Sequence, residues 1–156
     1  MGQLNESIKA TGKVKCKLEN TLTGQVTIKE YNNTVVTCGK VAIARRLGNL
    51  GTYTNEGRIT YGATGTGTTT PAITDIKLTT ELTRKLISSS SISGNIAIIR
   101  AFFNTTESNG ALKEFGLFGE AATGSADSGT MFNHVLIDIV KTVADTLTFE
   151  IQITIA

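Results

Sequence analysis

Thr146-Leu147-Thr148-Phe149-Glu150-Ile151-Gln152-Ile153-Thr154-Ile155 alternates polar and apolar residues over ten positions without a break. A strand repeats every two residues, so Leu147, Phe149, Ile151, Ile153 and Ile155 line one face while Thr, Glu and Gln line the other. One buried face and one wet face describe a strand of an antiparallel sheet. Composition extends that reading to the whole chain. It has 26 threonines, one proline and no tryptophan, and Thr, Val and Ile suit a pleated, half-buried surface between glycine-marked turns. The chain is therefore expected to be mainly β: an antiparallel, jelly-roll-like β-sandwich of about eight strands with one short α-helix. At 156 residues a single domain is the default, here residues 11–156 behind an N-terminal arm of residues 1–10.

Upstream of the last strand, 131–139 reads as another strand, with a turn at 141–145 and a small-residue loop over 119–129. Asn109-Gly110 is the strongest tight-turn dipeptide and joins 102–105 to 112–118. Ser93-Gly94 marks a hairpin between 85–91 and 95–103. In the second of these strands Ile96 and Ile98 fall on one face, Ile99 and Phe103 on the other. A strand apolar on both faces lies centrally or at an interface, so Ile96, Ile98, Ile99, Phe102 and Phe103 are the expected oligomer contacts.

Near the start, Lys13-Val14-Lys15-Cys16-Lys17-Leu18 alternates strictly, with Val14, Cys16 and Leu18 facing in. Lysines discourage stray pairing at an edge strand, and that is the role expected here, in a hairpin with the Val26/Ile28 run. The best helix spans 37–47. Thr37 is the expected N-cap, Val41, Ala44 and Leu47 share a face, and Arg45 and Arg46 complement the dipole before Gly48. Gly39 weakens the helix by about 1 kcal/mol relative to Ala.

Charge is nearly balanced at +2, which disfavours a nucleic-acid partner. No cofactor motif and no metal-ligand spacing occurs: the two cysteines, Cys16 and Cys38, form no CxxC, and His134 is alone. Two buried thiols are expected ahead of a disulfide. No leader and no membrane span is evident. Cys38 with His134 is the only thiol–imidazole option, and nothing in the sequence brings them together. Glu107, Glu114 and Glu120 flank turns and are expected to face solvent. Three glycines, Gly62, Gly65 and Gly67, follow the strand-like Ile59-Thr60-Tyr61. The GxxxxG spacing of a phosphate loop is there, but Thr68 and Thr69 stand where that motif needs Lys then Ser/Thr. A turn-rich connection is the better reading.

The run Tyr61-Gly62-Ala63-Thr64-Gly65-Thr66-Gly67-Thr68-Thr69-Thr70-Pro71-Ala72-Ile73-Thr74-Asp75, followed by Leu78, Glu81 and Arg84-Lys85, carries a resemblance. With Glu114-Phe115-Gly116-Leu117-Phe118 and the 141–148 segment, it resembles short virion structural proteins of tailed bacteriophages. That resemblance implies a non-enzymatic virion component, assembled in the host cytoplasm. It would be either a capsid decoration (cement) protein or a tail-fibre, collar or receptor- and carbohydrate-binding module. It also implies self-association, most commonly as a trimer, on a major capsid protein or other virion partner. Lys9, Lys13, Lys15 and Lys17 are the residues expected to touch an acidic capsid surface.

Overall fold

A computed structural model of the chain describes residues 7–49, 51, 53 and 55–156. The first six residues of the expected arm lie outside the described residues. Nine strands and one helix follow: β1 (Ala10–Asn20), β2 (Val26–Val35), α1 (Thr37–Gly48), β3 (Ile59–Gly65), β4 (Glu81–Leu86), β5 (Ser89–Ser93), β6 (Ile96–Phe103), β7 (Gly110–Gly119), β8 (Thr130–Lys141) and β9 (Asp145–Ile155). All pairings are antiparallel, in the order β4-β3-β7-β8-β2-β1-β9-β6-β5.

The sheet curls until its two halves face each other. Phe115 of β7 stacks on Phe149 of β9 with ring centroids 4.0 Å apart, and Phe103 of β6 meets Phe149 edge-on at 6.0 Å. Two bent runs make the curl. In β2, residues up to Asn33 pair with β1, whereas Thr34 and Val35 pair with β8. Between β4 and β5 only Ile87 and Ser88 intervene. Ile87 N–H donates to Thr60 O of β3 and Ser88 N–H to Arg100 O of β6, so neighbouring residues bond to opposite halves. Strands that switch partners through a bend are how a sheet turns a corner.

The period-two face of β9 enters the main core with Val14, Cys16, Ile99, Phe115 and Ile137. A second, smaller cluster of Val36, Ala63, Leu78, Phe118 and Met131 lies on the opposite face of β3, β7 and β8. Residues 66–80 cross that outer face and bury Leu78 against it; no helix forms in this segment. β7 is thus apolar on both faces because both are covered.

Four expectations need correction. β1 is not an edge: it lies between β2 and β9, and its lysines simply face water. The helix buries Gly39 and Ala42, not Val41, Ala44 and Leu47, and Leu47 is 79% exposed. Its N-cap is Val36 without a side-chain bond, and Asn49 at φ 48° closes its C-terminus in place of Gly48. Gly39 is required, because a Cβ there would sit 2.5 Å from Phe132 O of β8. Finally, Asn109-Gly110 does not close a hairpin. β6 and β7 lie in opposite halves, and residues 104–109 carry the chain between them.

Candidate functional site

Glu114 is the least expected feature of β7. It lies on the outer face with Gly116 and Phe118 and is fully buried under residues 66–80. Its Oε1 accepts N–H bonds from Gly67 at 3.0 Å and Thr80 at 2.7 Å; its Oε2 accepts Thr79 N–H at 2.9 Å. His134 of β8 approaches Oε2 through Nε2 at 2.9 Å, and its Nδ1 meets Asp75 Oδ2 at 2.7 Å. Asp75 Oδ2 also accepts Ala72 N–H at 2.8 Å. Each ring nitrogen of His134 thus faces one carboxylate oxygen. Four hydrogen bonds fill both oxygens of Glu114, so neither the carboxylate nor the imidazole keeps an atom available to a substrate.

This geometry explains the glycines. A Cβ on Gly65 or Gly67 would lie 2.5 or 2.4 Å from Glu114 Oε1. The Gly-rich segment does wrap an anion with backbone N–H groups, as a phosphate loop does, but the anion is the chain's own carboxylate. Expected to face solvent, Glu114 is instead fully buried. Glu120 is buried as well, accepting from Arg45 at 3.0 Å, from Gly57 N–H and from Thr130 Oγ1. Glu107 is half-buried and pairs with Lys85 at 2.7 Å.

Cys38 and His134 both reach Asp75, but through different atoms. Cys38 Sγ contacts Asp75 O at 3.5 Å and Met131 O at 3.1 Å, while His134 takes the carboxylate. Burial pushes the Cys38 thiol above its usual range and the Cys16 thiol up to about 12. Both cysteines are free. Among the described residues, no group of three or more His, Cys, Asp or Glu is placed to hold a metal ion, and no helix is long and apolar enough to cross a membrane.

The expected surface residues gather on the outer face of the β2-β1-β9-β6-β5 half. Register gives the cross-strand rows Lys17–Thr148–Phe102, Lys15–Glu150–Arg100 and Lys13–Gln152–Ile98, with Ile96 beside Thr154. Lys13, Lys15 and Lys17 are exposed, and Phe102 is 39% exposed. Lys17 pairs with Glu19 at 2.7 Å, and Arg100 with Glu150 at 2.7 Å. Gln152, then Arg100, hold the Glu150 carboxyl below its ordinary range, against the opposing effect of burial. Lys9 precedes β1, its main chain paired with Ala156. Ile99 and Phe103 point into the core, so only Ile96, Ile98 and Phe102 of the expected contacts lie on this outer face.

The buried network was missed because β7 shows only one acid amid apolar residues. Its readable signals are that single acid in Leu112-Lys113-Glu114-Phe115-Gly116 and two glycines, Gly65 and Gly67. Comparison with known proteins gives no match: no family model, curated protein or solved structure matches this chain.

Proposed function

We propose that this chain is a non-enzymatic virion structural protein of a tailed bacteriophage, a capsid decoration protein that binds the outer capsid surface as an oligomer. The observation that carries it is the outer face just described. The lysine row and the apolar group Ile96, Ile98 and Phe102 share it, two strand spacings or ~10 Å apart. A face with cations on one flank and apolar side chains on the other suits attachment to a preformed acidic surface. The buried acids support the same reading, because their oxygens are taken up by hydrogen bonds that hold the fold together. The curled sheet, with its facing halves, fits the jelly-roll-like β-sandwich of such proteins.

Lys15 stands between Glu30 and Glu150, and Lys17 pairs with Glu19. Exposed pairs contribute about 0.2–1 kcal/mol each, so repetition across an oligomer must supply the affinity. Particles lacking the protein, mixed with purified chain at low and high salt, test this. Changing Lys13, Lys15 and Lys17 to Gln should leave the fold intact, weaken attachment and flatten its salt dependence. Attachment equal to wild type at both salts would exclude the lysine row as the contact. Absence of binding to particles, with binding on a glycan array, would favour the tail-fibre or carbohydrate-binding alternative.

A further inference from the structure

A groove of about 620 Å³ lies between the two halves of the sheet, at the end where β9 finishes and β3 begins. Register builds one wall. Ile92 of β5 pairs with Ala97 of β6, and Ala97 with Ile153 of β9, so the three side chains form one cross-strand row on the core side of the sheet. Ile43 of α1 and Ile59 of β3 form the facing wall, and the buried Ile99 and Phe132 the floor. The facing half does not cover the last member of the row: Ile92 is 80% exposed, although its neighbours in the row pack in the core. The interior of the curled sheet is therefore open at this end, and its own aliphatic side chains are the lining.

The rim carries a single kind of charge. Arg58, immediately before β3, is exposed there, and among the described residues no Asp or Glu side chain lines the groove. Arg45, Arg84 and Arg100 are each spent on a carboxylate, at 3.0, 2.7 and 2.7 Å. The Arg58 guanidinium, by contrast, makes no hydrogen bond or ion pair with the described residues. The acids close to it in the chain or in hydrogen bonding are already engaged. Glu120, whose N–H donates to Arg58 O, accepts from Arg45, Gly57 N–H and Thr130 Oγ1, and Glu56 accepts from Gly51 N–H. Arg46, also without a carboxylate partner among the described residues, packs over the groove residue Gly57, where an added Cβ would collide with its own Cβ.

We propose that the groove binds a single molecule of a free fatty acid, its alkyl chain between the walls and its carboxylate on Arg58. The volume falls within the ~300–1,000 Å³ of small-molecule sites, which pair an apolar lining with a few placed polar groups. Isoleucine walls offer no directional contact and so suit a flexible methylene chain. A peptide laid there would bring backbone N–H and C=O groups into a trough whose remaining polar side chains, Ser90 and Ser91, stand on one bank only. Such groups are costly to bury unbonded, and an alkyl chain has none. The charge then selects the head group. A guanidinium fork donates two parallel N–H bonds to a carboxylate, and it repels an ammonium. The groove opens on the core side of β6 and β9, whereas the lysine row lies on the outer side of β1 and β9, so this binding is separable from capsid attachment.

Titration calorimetry of the full chain with octanoate, decanoate and dodecanoate, each below its micelle concentration, tests this. Affinity should rise by up to about fourfold per added methylene, with a single molecule bound per chain. Arg58→Gln should weaken decanoate binding about fivefold and remove its salt dependence, while decanol binds as it does to wild type. Ala97→Phe fills the groove from β6 and should abolish binding of both acid and alcohol. Ile92→Asp, at an exposed position that the fold does not need, should do so from the rim with an unchanged circular dichroism spectrum. Absence of decanoate and dodecanoate binding by wild type overturns the proposal. So does binding indifferent to the Ile92 and Ala97 variants, or an Arg58→Gln chain that loses acid and alcohol equally. Binding to phospholipid vesicles without binding of the monomeric acid also overturns it and points to a membrane surface instead.

Discussion

Glu114 shows what one buried charge can organise. It gathers three N–H groups from a segment that would otherwise lie loosely on the outer face, and it holds Leu78 over Phe118. Removing one partner from a buried ionic network typically costs about 3–5 kcal/mol. Glu114→Gln should therefore lower stability by about that much in urea unfolding, and limited proteolysis should cut first within residues 66–80. Gly39→Ala offers a sharper test. Helix propensity alone gains about 1 kcal/mol. The contact with Phe132 O, at 2.5 Å from the new Cβ, requires backbone to move, at about 1–3 kcal/mol for overpacking. The substitution should destabilise, and a raised melting temperature would contradict the packing. Cys16, with its thiol pushed up to about 12, should stay unreactive toward a thiol reagent at pH 8 until the chain is unfolded. At this scale the sequence announces that Gly39, Gly65 and Gly67 are special but not why. The reason is a partner far along the chain, Phe132 or Glu114, and no local pattern encodes it.

Among elements, periodicity carries far and pairing does not. The faces of β1 and β9 follow directly from alternation, and the Ser93-Gly94 turn joins β5 to β6 with Gly94 at φ 57°. Alternation says nothing about neighbours, which is why β1 reads as an edge although β2 and β9 flank it. Lysines look the same on an edge as on the wet face of an interior strand. Asn109-Gly110 misleads for a related reason: a dipeptide that permits positive φ serves a crossing loop as well as a hairpin. The turn between β8 and β9 has its own fastener. Asp145 accepts from Thr142 N–H at 2.8 Å and Thr142 Oγ1 at 2.7 Å, and from Asn20 Nδ2 at 3.0 Å. The Thr142 hydrogen bonds hold its carboxyl below the ordinary range against burial, with help from Asn20. A carboxyl lowered in the fold stabilises it above the unfolded value, near pH 4, and that contribution disappears as pH falls through the folded value. Urea midpoints should fall as pH drops below about 4. Asp145→Asn should be less stable at neutral pH and show a shallower decline.

Across the whole molecule, one core runs through both halves, and four crossings tie them together: the bend at residues 33–34 within β2, and residues 87–88, 104–109 and 142–144. Thermal unfolding should accordingly be a single transition whether followed by far-ultraviolet circular dichroism or by near-ultraviolet signals from the tyrosines; separated midpoints would show that the halves melt independently. The position of β9 has a further consequence, for time rather than for stability. The last strand in the sequence occupies the middle of its half, between β1 and β6. The β1–β2 and β5–β6 hairpins therefore wait unjoined until residues 145–155 have left the ribosome, each with an edge open to other strands. Long-range pairing of this kind slows folding. During synthesis the β4-β3-β7-β8 half can therefore close before the β2-β1-β9-β6-β5 half, which waits for β9 to join its two hairpins.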